Sequence, residues 1–167
     1  MEINVMLLGD YGVGKTTLIQ SYFNDSYFGD SKPNIGIETF FKKQGKTTIK
    51  YWDTAGQERY NSSSLPYIKN AKAIILVYDP SLPLEEIQKT LTFWIEQIKE
   101  NLNYDDINQF IWIVANNKNT TIDIKKVNEI EKLKNLLTNI NLENRLYVIH
   151  KLSTNITELK VSFSFNK

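Results

Sequence analysis

The sequence of 167 residues contains no cysteine and only one histidine. Without cysteine there is no disulfide framework, no thiolate-ligated metal site and no thiol catalysis. The same absence removes the attachment point for prenyl or palmitoyl groups, so we expect no direct lipid anchor. Basic and acidic side chains number 20 and 19, a formal net charge of +1. Because nucleic-acid binding proteins carry a clear positive excess, we expect no nucleic-acid partner.

Long apolar segments are also missing. No apolar run approaches the roughly 18 residues that a membrane-spanning helix needs, and the start of the chain lacks the apolar stretch of a signal peptide. No internal repeat and no linker rich in Gly, Ser or Pro divides the sequence. We therefore expect one intracellular domain over residues 1–167.

Short apolar runs alternate with helical patterns along the chain. The runs predict strands at residues 3–8, 39–43, 47–52, 73–78, 110–115 and 145–149. Apolar residues spaced by three or four predict helices at 84–101 and 123–138, and residues 15–23 can form another. This alternation favours an α/β fold with helices on both faces of a mostly parallel six-stranded sheet. The hairpin around Gln44-Gly45-Lys46 supplies one antiparallel edge strand.

A glycine-rich motif follows the first strand. Residues 9–16 read GDYGVGKT and satisfy the pattern G-x-x-x-x-G-K-S/T at every fixed position. The glycines let successive backbone N–H groups face a polyphosphate, and the following helix directs its positive end at the anion. Lys15 would reach the β- and γ-phosphates, and the Thr16 hydroxyl can ligate Mg²⁺. The predicted phosphate-binding residues are Gly12, Val13, Gly14, Lys15, Thr16 and Thr17.

A second motif follows the strand at 47–52, where residues 52–60 read WDTAGQERY. Together the two motifs resemble the small GTPases of the Ras superfamily, and the tryptophan before the second motif is typical of the Rab branch. The resemblance runs from residue 3 to about residue 120. It implies GTP or GDP as the ligand, with Mg²⁺ held by Thr16 and Asp53. It also implies that the Gly56 N–H contacts the γ-phosphate and that Gln57 is the catalytic residue that orients the attacking water.

Two departures from the family affect the phosphate site. Asn34 stands 19 residues after Lys15, where the family has a threonine that ligates Mg²⁺. We expect Asn34 to offer an amide oxygen instead and to close the first switch less firmly, because Mg²⁺ demands near-ideal octahedral geometry. Tyr11 occupies a position that is small in most of the family, near the entry path of an arginine finger, which a phenol there would obstruct.

Other departures affect the base site. Asn117 and Lys118 match the family's base-reading N-K-x-D, but Thr120 replaces the aspartate that accepts two hydrogen bonds from guanine. We expect this loss to weaken guanine binding by roughly ten- to a thousandfold. Tyr27 lies where the family places an aromatic against the guanine ring, although it could equally be an ordinary aromatic at a helix end. The stretch 150–155 matches the family's last motif in no register, so we expect a final helix that is truncated or irregular.

The resemblance also implies a protein-binding face around the two switches. Rab proteins contact effectors through exposed aromatic residues, here Trp52, Tyr67 and either Phe40 or Phe41. The alternative is that these rings are buried in the core. The residues predicted to face protein partners are Ile35, Ile37, Phe40, Trp52, Tyr60 and Tyr67.

Two functions are consistent with these motifs. The first is a Rab-like, guanine-nucleotide-binding GTPase with Mg²⁺-dependent and slow hydrolysis. The second is a non-cycling module derived from the same fold and docked in a larger protein assembly. The missing lipid-bearing cysteine favours a protein held by partners on the cytoplasmic side, whereas the intact Lys15, Thr16 and Gln57 favour the GTPase.

Overall fold

The computed structural model describes residues 1–23, 36–56, 62–102, 110–116 and 146–152. Its elements in chain order are β1 (Glu2–Leu8), α1 (Lys15–Phe23), β2 (Ile37–Gln44), β3 (Thr47–Thr54), a 3₁₀ helix (Ser62–Asn70), β4 (Ala73–Tyr78), α2 (Leu84–Asn101), β5 (Phe110–Asn116) and β6 (Leu146–Leu152). Within the described residues a strand lies at each predicted position, with ends that differ by a few residues, and helices lie at 15–23 and 84–101 as predicted. The predicted helix at 123–138 lies outside the described residues.

The six strands form one sheet in the order β2-β3-β1-β4-β5-β6. β2 and β3 are antiparallel, and all other neighbours are parallel. Gln44 pairs with Thr47, so the hairpin turns through Gly45 and Lys46 alone, and Gly45 takes a φ of 58° that glycine adopts without strain. The predicted α/β fold, mostly parallel with one antiparallel edge strand, is confirmed.

The core has one layer on each face of the sheet. Alternate residues of β1 show the division: Met6 and Leu8 pack in the layer that contains α2 and the 3₁₀ helix, whereas Val5 and Leu7 pack with α1. β4 is buried at all six positions because both of its faces are covered. Within the described ranges, no helix combines the length and the apolar character that crossing a bilayer requires.

The strand order places a binding crevice at the carboxyl end of β1. The chain leaves β1 toward β3 on one side and later returns to β4 on the other side. In open α/β sheets such a reversal of direction opens a crevice beyond the strand ends, where ligands bind. Leu7 is level with Asp53 of β3 and with Ile75 of β4, so loops after neighbouring strands meet at this point.

Candidate functional site

The loop between β1 and α1 wraps around the ammonium group of Lys15. Lys15 is buried, and its Nζ donates hydrogen bonds to the backbone oxygens of Gly9 at 2.8 Å and Asp10 at 3.0 Å. The N–H of Leu18 donates to the oxygen of Gly14 at 2.9 Å, so helical hydrogen bonding begins within the loop. This arrangement directs the first turn of α1, with its positive end of the helix dipole, at the crevice.

Close backbone approach makes glycine necessary at the start of this loop. Gly9 has a φ of 137°, and a Cβ there would lie 2.1 Å from the backbone oxygen of Val77 in β4. No other residue fits without moving β4, because real Cβ atoms do not approach an oxygen so closely. The first glycine of the motif therefore seats the loop against the sheet.

Gly56 brings the second motif against the first. Its φ is 78°, and a Cβ there would lie 2.7 Å from Lys15 Nζ and 2.6 Å from the backbone nitrogen of Tyr11. The backbone after β3 therefore reaches the lysine that the first motif provides. A phosphate bound by Lys15 would consequently have the backbone of Gly56 beside it.

Thr16 and Asp53 meet at the same end of the sheet. The Thr16 Oγ1 hydroxyl donates to Asp53 Oδ2 at 2.5 Å, and Asp53 is buried. Next to it, the Thr54 hydroxyl donates to the backbone oxygen of Leu7 at 2.9 Å, which holds the end of β3 to β1. Thr16 and Asp53, the two residues predicted to hold Mg²⁺, are thus in direct contact.

This donor set fits Mg²⁺. A hydroxyl and a carboxylate are hard oxygen ligands, and Mg²⁺ is usually held by one or two carboxylates together with waters and substrate phosphates. In the described part of the chain, no group of three or more His, Cys, Asp or Glu side chains could hold a metal ion. A divalent cation at Thr16 and Asp53 could complete its coordination with waters and phosphate oxygens.

The side chain of Asp10 joins the loop to α2. Asp10 Oδ1 accepts a hydrogen bond from Trp94 Nε1 at 2.8 Å, and Asp10 Oδ2 accepts one from Thr90 Oγ1 at 3.2 Å. This contact could not be predicted from the motif, because Asp10 occupies one of its variable positions. The available signal was the indole N–H of Trp94, which needs an acceptor when the apolar stripe of α2 is buried.

Some predicted site residues are brought together and others are not described. The residues that lie in or beside the loop are Gly12, Val13, Gly14, Lys15, Thr16, Thr17, Asp53 and Gly56. Tyr27, Asn34, Gln57, Asn117, Lys118 and Thr120 lie outside the described residues. Tyr11 is described and is 77% exposed, and its backbone lies beside Gly56.

Several of the residues predicted to face protein partners are buried. Ile37, Phe40 and Trp52 are buried, so these three do not form the exposed surface that was expected of them. Phe40 points to the α1 side of the sheet, whereas its neighbour Phe41 is 49% exposed. Tyr67 is 41% exposed and covers Trp52 with an edge-to-face contact of 5.6 Å between ring centroids. Ile35 and Tyr60 lie outside the described residues.

Sheet order, loop geometry and the meeting of the two motifs define an α/β domain with a phosphate-binding loop. A family model described as Roc, the Ras of Complex domain of DAPkinase, matches residues 4–120. The chain therefore belongs to the Ras-like GTPase domains.

Three relatives illustrate this similarity. Human Ras-related protein Rab-22A is 32% identical over 137 residues, which is 77% of this chain and 65% of the relative. The Ypt/Rab-type GTPase YPT7 of Saccharomyces cerevisiae is 32% identical over 132 residues, which is 75% of this chain and 62% of the relative. Ras-related protein Rab-12 of Mus musculus is 34% identical over 108 residues, 62% of this chain and 44% of the relative. The chain thus spans less than two thirds of the length of these relatives.

Proposed function

We propose that this chain binds guanine nucleotide at the loop of residues 9–16 and hydrolyses GTP slowly in a Mg²⁺-dependent reaction. The observation that carries the proposal is the convergence of Lys15, Gly56 and the Thr16–Asp53 pair at one end of the sheet. A cation, a backbone close to it and a pair of hard oxygen ligands are the groups that a nucleoside triphosphate with Mg²⁺ requires. Membership of the Ras-like GTPase domains supports the same conclusion.

Each residue would have a distinct role. Lys15 would bind the β- and γ-phosphates as a fixed positive charge, because the carbonyls of Gly9 and Asp10 already hold its ammonium in place. Thr16 and Asp53 would hold Mg²⁺, which neutralises phosphate charge when it is bound. Gly56 would place its N–H near the γ-phosphate, and Gln57 would orient the water that attacks in line. Asn117 and Lys118 would hold the base.

The direct test is to purify the protein, extract any bound nucleotide, and identify and quantify it. We expect GDP close to one equivalent, release of the nucleotide when EDTA removes Mg²⁺, and slow phosphate production from added GTP. A protein that carries no nucleotide and binds neither GDP nor GTP with Mg²⁺ present would contradict the proposal.

Lys15→Ala tests the loop itself. Hydrogen bonds to charged groups contribute about 1.5–3 kcal/mol each, so we expect GDP affinity to fall by at least about tenfold. Lys46→Ala is the matched control, because Lys46 is an exposed lysine in the turn between β2 and β3, far along the sheet from the loop. A GDP affinity that falls equally in both variants would indicate a general charge effect and not a phosphate site.

Thr120→Asp tests the base site. The substitution restores the carboxylate that would accept two hydrogen bonds from guanine, so we expect GDP affinity to rise by roughly ten- to a thousandfold while ADP affinity stays unchanged. Isothermal titration with both nucleotides measures the difference. An unchanged GDP affinity would show that residues 117–120 do not form the base site.

The second candidate is a non-cycling module held in an assembly by protein partners. The observation that favours it is Tyr11, which is 77% exposed and whose backbone lies beside Gly56, so that its phenol would obstruct an arginine finger. Exposed Phe41 and Tyr67 would then supply contact area for a protein partner. Bound GTP that neither exchanges nor hydrolyses would support this candidate over the GTPase, whereas exchange of GDP for GTP would contradict it.

A further inference from the structure

The phosphate loop is tied to α2 as well as to β1. Thr90 and Trp94 lie one helical turn apart, so their side chains project from the same face of α2. Both are buried, and both donate to the carboxylate of Asp10, the second residue of the loop. The two hydrogen bonds join positions 80 and 84 residues apart in the sequence.

Asp10 also acts on Lys15 through its backbone. The carbonyl oxygen of Asp10 accepts a hydrogen bond from Lys15 Nζ at 3.0 Å and is 3.5 Å from the N–H of Val13. The side chain of Asp10 therefore accepts hydrogen bonds from α2, and its backbone carbonyl accepts one from Lys15. A rotation of Asp10 that follows the loss of Trp94 Nε1 would move the carbonyl that orients Lys15.

We propose that Asp10 and Trp94 are positioning residues for phosphate binding: the indole N–H of α2 holds the Asp10 carboxylate, and Asp10 holds the Lys15 ammonium in line with the crevice. This inference rests on one part of the proposed function, the binding of phosphate groups at the loop. It goes beyond that proposal because it makes phosphate affinity depend on a residue of α2 that touches no ligand.

Three variants test it through the dissociation rate of a fluorescent GDP analogue. Trp94→Phe keeps a ring in the core and removes the N–H, and Asp10→Ala removes the acceptor; we expect each to speed dissociation by about tenfold. Asp10→Asn keeps an oxygen that accepts from Trp94 Nε1, and its amide can donate to the Thr90 hydroxyl. We therefore expect Asp10→Asn to restore a rate within about threefold of the wild type.

Ile98→Ala is the control for lost stability. Ile98 is buried in the same layer of the core and on the same helix, and α2 places it one turn beyond Trp94. We expect this variant to lower the melting temperature and leave GDP dissociation within about twofold of the wild type. If Trp94→Phe lowers the melting temperature in the same way and leaves dissociation unchanged, Trp94 is only a packing residue and the inference is overturned.

A spectroscopic readout separates this inference from the proposed function. The chain has three tryptophans, so the ¹H–¹⁵N spectrum contains three indole N–H signals, and Trp94→Phe assigns one of them. Titration with inorganic pyrophosphate, which needs the loop but no base site, should shift the Trp94 signal in the wild type. The shift should require Lys15 and therefore be lost in Lys15→Ala.

The outcomes are distinct. Pyrophosphate binding without guanine-nucleotide binding would contradict the proposed function and still support the inference if Trp94→Phe weakens pyrophosphate binding. Guanine-nucleotide binding that leaves the Trp94 signal and the Trp94→Phe affinity unchanged would overturn the inference and leave the proposed function standing. If neither pyrophosphate nor guanine nucleotide binds, both the inference and the proposed function are overturned.

Discussion

At the scale of single residues, the site depends on backbone atoms that come unusually close. Gly56 and Gly45 both have a positive φ, 78° and 58°, but their surroundings differ. A Cβ on Gly45 would meet nothing within 4 Å, whereas a Cβ on Gly56 would lie 2.7 Å from the Lys15 ammonium. Both positions therefore favour glycine because of their positive φ. At Gly56 alone, a side chain would also collide with Lys15.

Gly56→Ala should accordingly separate these two effects. Both alanine variants carry the cost of a left-handed residue, about 1–2 kcal/mol, but only Gly56→Ala displaces Lys15 or the Tyr11 backbone. We expect Gly56→Ala to weaken GDP binding by at least about tenfold beyond any loss in Gly45→Ala, whose affinity should be unchanged. Denaturant unfolding and GDP titration of both variants measure the two quantities. Equal GDP affinities in the two variants would refute a role for the close approach at Gly56.

At the scale of elements, β2 shows how strand alternation decides exposure. Phe40 and Phe41 are adjacent, and Phe40 is opposite Tyr51 whereas Phe41 is opposite Lys50. Phe40 is 1% exposed and packs against Phe23 of α1, with ring centroids 5.8 Å apart. Phe41 is on the other face, where the Lys50 ammonium lies 5.7 Å from its ring centroid. Phe40 is thus a core residue, whereas its neighbour Phe41 is a surface residue.

Alanine substitutions at these two positions should differ strongly. Phe40→Ala removes a buried ring and leaves a cavity, so we expect the free energy of unfolding to fall by about 3–5 kcal/mol. Phe41→Ala removes a half-exposed ring, and we expect a loss below about 1 kcal/mol. Urea denaturation at constant protein concentration measures both values. A larger loss for Phe41→Ala than for Phe40→Ala would mean that β2 pairs in a shifted register.

At the scale of the whole molecule, two core layers enclose buried phenols. Burial raises the pKa of Tyr78 to about 12. Burial also raises the pKa of Tyr51 well above its ordinary value, and the neighbouring Tyr22 adds to the shift. The unfolded chain releases these protons near pH 10, whereas the folded protein keeps them. The resulting stability is fully present below about pH 10 and is lost as the pH rises toward 12.

The Tyr78 contribution can be measured by substitution. Two pKa units correspond to about 3 kcal/mol once the titration is complete, so the free energy of unfolding should fall by about 2 kcal/mol between pH 8 and 11.5 on account of Tyr78 alone. We expect the alkaline loss to be smaller by about that amount in Tyr78→Phe. Tyr67→Phe, which alters a 41% exposed ring, should retain the full loss. Urea unfolding of the wild type and both variants at pH 8, 10 and 11.5 measures this loss. An equal loss in all three proteins would contradict the prediction for Tyr78.

Much of the architecture could be predicted from the sequence because its signals are local. The apolar run at 73–78 and the three- and four-residue spacing over 84–101 correspond to β4 and α2. The loop between β1 and α1 was also predictable, because its glycine-rich motif occupies consecutive residues between a strand and a helix. The 3₁₀ helix Ser62–Asn70 was not predicted, because Pro66 inside it and the run of serines give no helical periodicity.

The absence of cysteine and the two motifs are properties of the sequence alone: the absence excludes thiol chemistry in this chain, and the motifs predict a phosphate-binding loop. Sequence could not decide whether Phe40 or Phe41 is exposed, because a shift of one residue in strand pairing reverses every side chain. Nor could the sequence show that Asp10 accepts a hydrogen bond from Trp94, because the two residues are 84 positions apart and no local pattern links them. Those contacts were decided by the tertiary structure, which alone brings the start of the loop against the buried face of α2.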